Sequence, residues 1–387
     1  MNNNVLYIAF SAFFADLGYQ TAIAIFPIFL VMILGASAST YGIASAIAFG
    51  IGSFFGYIGG IMSDRYDSRY VAILGNALIP LISLMALTQG VWIAVFLFSG
   101  GWWARNFRSP ARRSLLVEHA SKDRRGQVFG FLHALDIGGG MLSVVMLLFL
   151  LYVGLSLNSI LLITAIPLVI STLLLLFTKH SRAGVGVKAP AATNSTYMSS
   201  SAVSRNTYVG IIIATALYGF STYSLGFPIL TIAQQTKSDF IGIASYAVYL
   251  GVSALVGYWI GSSRYNRIKS LAYLGYMLSG AGSLLLGISY LYNYGYALSY
   301  MAVALMGFAF GVIETVEPTM VSSIKRLKDM GRGMGTLSGS RSFGIFLANL
   351  IMGILYVLSP FYSYLYATIM AVAAGVIVLA AGRGFKE

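Results

Sequence analysis

Long apolar stretches separated by short polar turns recur along the whole of this 387-residue chain. At about 1.5 Å of rise per helical residue, roughly 20 apolar residues cross the ~30 Å hydrocarbon core of a bilayer. The pattern predicts twelve such helices, near 5–34, 39–63, 70–89, 91–114, 124–152, 156–178, 206–235, 239–262, 270–292, 295–322, 334–358 and 360–382. The first begins after Met1-Asn2-Asn3-Asn4 with no basic leader or small-residue cleavage site, so it is expected to be retained as a span. One long polar segment, 179–205, contains Ser199-Ser200-Ser201 and reads as a flexible linker. It divides the chain into an N-terminal six-helix bundle, 1–178, and a C-terminal one, 206–387.

The two halves repeat each other. Gly42-Ile43-Ala44-Ser45 returns as Gly242-Ile243-Ala244-Ser245, Phe26-Pro27-Ile28 as Phe227-Pro228-Ile229, and Gly56-Tyr57 with Gly60 as Gly257-Tyr258 with Gly261. Several identities at one offset of 200 to 201 residues mark a duplicated unit.

Composition agrees with a membrane protein: 58% of residues are hydrophobic and only 9% charged, against about a quarter charged in soluble domains. The net charge of +13 is spread over alternate loops. Arg65 and Arg69, Arg112 to Arg125, Lys179 to Arg205, Arg264 to Lys269, Lys325 to Arg332, and Arg383 with Lys386 all fall on one set, and only Lys237 on the other. The positive-inside rule then predicts a multi-pass protein of the cytoplasmic membrane with both termini in the cytoplasm. The basic loops would also attract anionic lipid headgroups. Charge dispersed in this way gives no basis for nucleic-acid binding. The chain has no cysteine, no phosphate-binding glycine loop, no nucleophile elbow and no metal-ligand spacing, so no enzyme activity, cofactor or metal is expected.

Six spans, a linker and six spans in the same orientation resemble the parallel-repeat architecture of the major facilitator superfamily. Gly60-Ile61-Met62-Ser63-Asp64-Arg65-Tyr66-Asp67-Ser68-Arg69 resembles that superfamily's signature after span two, with Asp67 and Ser68 replacing its second glycine and one base. The second copy, Gly261-Ser262-Ser263-Arg264-Tyr265-Asn266-Arg267, lacks the acid. Arg105-Asn106-Phe107-Arg108-Ser109-Pro110-Ala111-Arg112, followed by Arg125-Gly126 and Asp136, resembles a prokaryotic branch of these permeases. The resemblance implies alternating access, with spans one, four, seven and ten lining a cavity. It implies close helix packing at Gly60 and gating contacts by Asp64, Arg65 and Arg69. Span five lacks the Gly-Pro pair that drug/proton antiporters of the family carry.

Ionisable groups inside a bilayer are costly unless paired or wetted, so they are the candidates for function. They are Asp16 in span one, Arg105 and Arg108 in span four, His133 and Asp136 in span five, Glu314 and Glu317 in span ten, and Arg341 in span eleven. Counted from the loop centre near 120–121, Arg105 and Asp136 fall at one depth, as do Arg108 and His133. Glu314 and Arg341 match about 327–328. Each half is therefore expected to hold a buried ion pair, base then acid in the first and acid then base in the second.

Asp16 has no evident partner in its own helix, and Gln20 lies one turn on, placed to share a water or cation with it. The alternative is an Asp16–Arg105 pair, which would leave Asp136 to another partner such as His133. Trp102, Trp103, Tyr218 and Tyr223 are candidate cavity aromatics for an apolar or cationic ligand, with packing the favoured reading of each one. Pro27 and Pro228, at matched places in spans one and seven, each remove a backbone donor and permit a bend.

The expected function is a secondary active transporter for a small solute, a monomer coupled to a proton or ion gradient. A non-transporting sensor or scaffold, or an uncoupled uniporter, would have the same fold.

Overall fold

The computed structural model describes residues 3–119, 125–179, 202–262, 267–324 and 330–382. The polar segment expected to link the halves lies largely outside these residues. Among the described residues every regular element is a helix. Six spans make up the first half: α1 Asn3–Ile33, α2 Ala38–Ser63, α3 Ser68–Leu87, α4 Val91–His119, α5 Arg125–Tyr152 and α6 Leu157–Leu176. The second half has α7 Tyr208–Thr236, α8 Asp239–Ser262, α9 Ser270–Tyr292, α10 Tyr296–Ile324, α11 Met330–Leu358 and α12 Pro360–Ala381. Eleven of these helices carry a stretch long and apolar enough to cross a membrane. The twelfth, α4, is 29 residues long. Its hydropathy is lowered by Arg105, Asn106, Arg108, Arg112 and Arg113.

Local chemistry sets the helix ends. Ser37, Asp67, Ser156 and Ser359 cap α2, α3, α6 and α12, each accepting a backbone N–H of the first turn on its side-chain oxygen. Pro360 occupies the first turn of α12, where its missing N–H costs nothing. Lys237 and Asn293 end α7 and α9 in the left-handed conformation, both with φ of 52°.

Helix packing forms two compact units, one of Met1–Ala36 with Ile47–Ala189 and the other of Ser37–Ala46 with Pro190–Glu387. In the first, Val5, Ile8, Ala12, Val71, Leu115, Leu132 and Leu175 join α1, α3, α4, α5 and α6. In the second, Ile211, Tyr218, Val256, Tyr276, Ile313, Val316 and Val378 join α7, α8, α9, α10 and α12. Large apolar side chains such as Val145, Leu255 and Tyr258 are exposed, up to 83%, the inverse of a water-soluble surface.

The start of α2 belongs to the second unit. Gly42 approaches α11 so closely that a Cβ there would lie 2.5 Å from the Asn349 carbonyl and 2.6 Å from the Gly353 Cα. Its repeat mate Gly242 packs instead on Ile229 and Ala233 of α7. The helix then takes a π-helical turn at Ala46–Gly50 before entering the first unit. The two prolines also differ in effect. Pro27 precedes a π-helical turn at Phe29–Ile33, whereas Pro228 follows a full break in α7 between Ser221 and Gly226.

Candidate functional site

In the first unit the polar centre is a chain of three side chains. Asp16 lies thirteen residues in from Asn3, about 20 Å along α1, and is 5% exposed. The Tyr19 hydroxyl, one turn on, donates to Asp16 Oδ1. Arg105 Nη2 in turn donates to the Tyr19 hydroxyl at 3.2 Å. The guanidinium also sits 5.2 Å from the Tyr19 ring centre and 5.1 Å from that of Trp102, within reach of both π-faces. Acid and base are thus joined through a phenol. Tyr19 is the partner that the sequence reading missed, and its spacing of three from Asp16 is the signal that could have shown it.

The expected Arg105–Asp136 pair does not form. Asp136 accepts instead from Arg112 Nη2 at 3.1 Å. Side chains on a helix lean toward its N-terminus, so Arg112 reaches about one turn deeper into the span than its own Cα. With α4 ending at His119 and α5 starting at Arg125, that reach brings it level with Asp136. The His133 side chain lies outside the described set. Arg108, fully buried, donates to Asn76, whose amide donates to Ser171 at 3.0 Å and Thr172 at 2.9 Å. Arg105, Arg108 and Arg112 therefore form a stripe along α4 facing two acids, Asp16 and Asp136.

Glycines set the spacing of this centre. A Cβ on Gly139 of α5 would lie 2.3 Å from the Phe13 carbonyl and 3.2 Å from the Asp16 Cβ, so its absence lets α5 lie against α1 beside the acid. Gly140 faces Gln20, whose side chain would lie 3.7 Å from a Cβ there. Trp102 packs edge-on against Tyr19 and Phe49. Trp103 instead stacks on Phe55 at 4.8 Å and donates to the Ile47 carbonyl at 3.1 Å, a packing role.

The signature segment between α2 and α3 differs from expectation in two respects. The close approach falls on Gly59, where a Cβ would lie 2.0 Å from the Phe107 carbonyl, while Gly60 has nothing nearer than 3.9 Å. Asp67, which replaces the superfamily's second glycine, is the α3 cap and accepts the Arg69 N–H at 2.8 Å. Arg69 donates to the Leu176 carbonyl at 2.8 Å, Ser68 donates to Glu118 at 2.9 Å, and Arg65 is exposed. The Asp64 side chain lies outside the described set.

In the second unit the expected Glu314–Arg341 pair forms, and Glu317 joins it. Arg341 Nη1 donates to Glu314 and Nη2 to Glu317. Glu317 is fully buried and its oxygens are all engaged, Oε2 by Arg341 and Oε1 by Thr215 at 3.2 Å and by Tyr276. Glu314 is different: its side chain is 46% exposed and, among the described residues, only Oε1 has a partner. Tyr218 and Tyr223 are 4% and 7% exposed and contact Ser279 and Ser283, so both are packed between helices. Gly219 and Gly344 bring α7 and α11 together beside Arg341.

Comparison with known proteins agrees with this architecture. A transporter described as an uncharacterized MFS-type transporter of Methanocaldococcus jannaschii is 24% identical over 390 residues, 98% of this chain and 95% of the relative. Among solved structures, a D-xylose–proton symporter superposes with a TM-score of 0.77 at 14% identity over 97% of this chain and 96% of its own. The nucleoside transporter NupG superposes with a TM-score of 0.74 at 16% identity, covering 100% of both chains. The sequence profile of the Major Facilitator Superfamily matches residues 8–257, well over half of the chain. This multi-pass, all-helical membrane protein therefore belongs to the Major Facilitator Superfamily.

Proposed function

We propose that the protein is a secondary active transporter that moves a small solute across the cytoplasmic membrane by alternating access, coupled to a proton or ion gradient. The observation that supports this best is the Asp16–Tyr19–Arg105 chain inside the membrane-spanning part of the first unit. A buried acid and a part-buried base within a span cost several kcal/mol of desolvation, which a scaffold has no reason to retain. As a coupling device the chain has a clear logic. Ionised Asp16 holds the Tyr19 hydroxyl and, through it, Arg105. A proton on Asp16 removes that charge and releases Arg105 to meet an anionic or polar group of a solute. Glu314 is a second titratable acid, in contact with Arg341.

The relatives support the transport part of this reading, since the solved ones include carriers of a sugar and of nucleosides. The distribution of lysine and arginine supports both termini in the cytoplasm. Anionic headgroups would lie against the basic loops, and the working unit is a monomer. The test is made in proteoliposomes with a solute found by thermal-shift screening. Asp16→Asn is expected to abolish accumulation driven by a pH gradient while exchange of labelled for unlabelled solute continues. Unchanged accumulation would remove Asp16 from the coupling role.

A further inference from the structure

One buried arginine of the first unit has no acid to match it. Asp16 takes the Tyr19–Arg105 chain and Asp136 takes Arg112, which leaves Arg108 without a carboxylate partner among the described residues. Arg108 is 0% exposed and stands eleven residues before the end of α4 at His119, about 16 Å along the helix. A guanidinium held there with no counter-charge is costly, because neither hydrocarbon nor a packed apolar core solvates it.

The neighbours of Arg108 fix which of its donors are left over. Nη1 donates to the Asn76 side-chain oxygen, whereas Nε and Nη2 are buried with no hydrogen-bond partner among the described residues. The polar groups beside it are already committed. Asn76 gives both amide N–H bonds away, to Ser171 at 3.0 Å and Thr172 at 2.9 Å, so its oxygen is held toward Arg108. Ser171 donates in turn to the Ser11 carbonyl at 2.6 Å and Thr172 to the Leu168 carbonyl at 3.1 Å. The stem of Arg108 is fixed as well, since a Cβ on Gly75 of α3 would lie 2.9 Å from the Arg108 Cβ. Nε–H and Nη2–H lie side by side on one edge of the planar guanidinium, a rigid two-donor fork suited to an anion.

We infer that the Nε–Nη2 edge of Arg108 binds a small monovalent anion, a halide or an ion of similar size, as a resident counter-ion inside the first unit. Charge selects an anion over water. A water molecule would accept the two N–H bonds but would leave the positive charge uncompensated in low-dielectric surroundings. Complete burial selects a small ion, because a side chain with no accessible surface admits no bulky organic acid. The anion is a fixed part of the bundle and not the transported solute, so the site goes beyond the transporter reading, which uses Arg105.

The full-length protein in detergent is melted in sodium gluconate, with chloride or bromide replacing gluconate at constant sodium concentration and ionic strength. An ion that binds only the folded state raises the melting temperature, so each halide is expected to give a saturable upward shift of a few degrees. Arg108→Met removes the charge, and Asn76→Asp sets a carboxylate against the arginine in place of the ion. Both variants should lose the halide shift, while Arg65→Gln, at an exposed arginine, should keep it. Equal melting of the parent protein in chloride and gluconate would overturn the site, and so would a shift that survives in Asn76→Asp or disappears in Arg65→Gln. If Arg108→Met does not fold, Asn76→Asp decides alone. None of these measurements uses a transported solute, so failure here is distinct from failure of gradient coupling.

Discussion

Arg112, and not Arg105, holds Asp136 across the α4–α5 hairpin, with Nη2 3.1 Å from Oδ2. The charge stripe of α4 is therefore divided: Arg105 serves Tyr19 and Asp16, Arg108 serves Asn76, and Arg112 serves Asp136. Removing one member of a buried pair strands the other charge, whereas removing both relieves it. Asp136→Asn and Arg112→Gln are expected to show a coupling of about 1 kcal/mol or more in a double-mutant cycle on thermal stability. Asp136→Asn with Arg105→Gln should be additive within about 0.5 kcal/mol. Coupling in the second cycle and none in the first would reverse the assignment.

The two acids of α10 should differ sharply. Glu317 is fully buried with every oxygen engaged, and its replacement by glutamine leaves Arg341 short of a counter-charge. Glu317→Gln is expected to cost about 3–5 kcal/mol of stability, against about 1 kcal/mol or less for half-exposed Glu314→Gln. Chemical denaturation in a single detergent, with both variants side by side, decides it. Equal losses would mean that Glu314 is as structural as Glu317.

Adjacent glycines in α5 offer a packing test. Gly139 faces the Phe13 carbonyl at a distance that no Cβ tolerates, while a Cβ on Gly138 meets nothing within 4 Å. Gly139→Ala is expected to destabilise by about 1–3 kcal/mol and to move Asp16, with Gly138→Ala near neutral. A neutral Gly139→Ala would show that α5 does not pack on α1 in this way.

Much of this architecture is legible in the residues themselves. The apolar period suffices for the helical spans, because a bilayer leaves the backbone few alternatives. Glu314–Arg341 was legible because both residues lie at one depth. Arg105–Asp136 failed by the same arithmetic, since counting Cα positions ignores the lean of a long side chain along its helix. Tyr19 and Tyr276 escaped notice because a phenol among 26 tyrosines carries no charge to mark it. The role expected of Gly60 fell to Gly59 for a similar reason: helical phase, not motif position, decides which glycine faces Phe107.

Topology has a direct check in the cysteine-free chain, where single cysteines introduce the only thiols. Cysteines at Ser39 and Asn293 are expected to react with an impermeant thiol reagent added to intact cells, and one at Tyr66 only after permeabilisation. External labelling at Tyr66 would invert the orientation drawn from lysine and arginine.

The last prediction concerns the phenol between Asp16 and Arg105. Tyr19→Phe keeps the ring, and with it the edge contact to Trp102 at 5.9 Å and the face presented to Arg105. It removes only the hydroxyl that donates to Asp16 and accepts from Arg105. Buried Asp16 and part-buried Arg105 then each lose a hydrogen bond, so a stability loss of about 1–3 kcal/mol is expected. The more informative consequence is in coupling. In the parent, Asp16→Asn and Arg105→Gln should be non-additive because the phenol transmits each charge to the other. In the Tyr19→Phe background the same cycle should shrink toward additivity. If the coupling persists without the hydroxyl, acid and guanidinium interact directly through space, and Tyr19 merely packs beside them. Should the parent cycle already be additive, the three residues are independent, and a proton on Asp16 would have no route to Arg105.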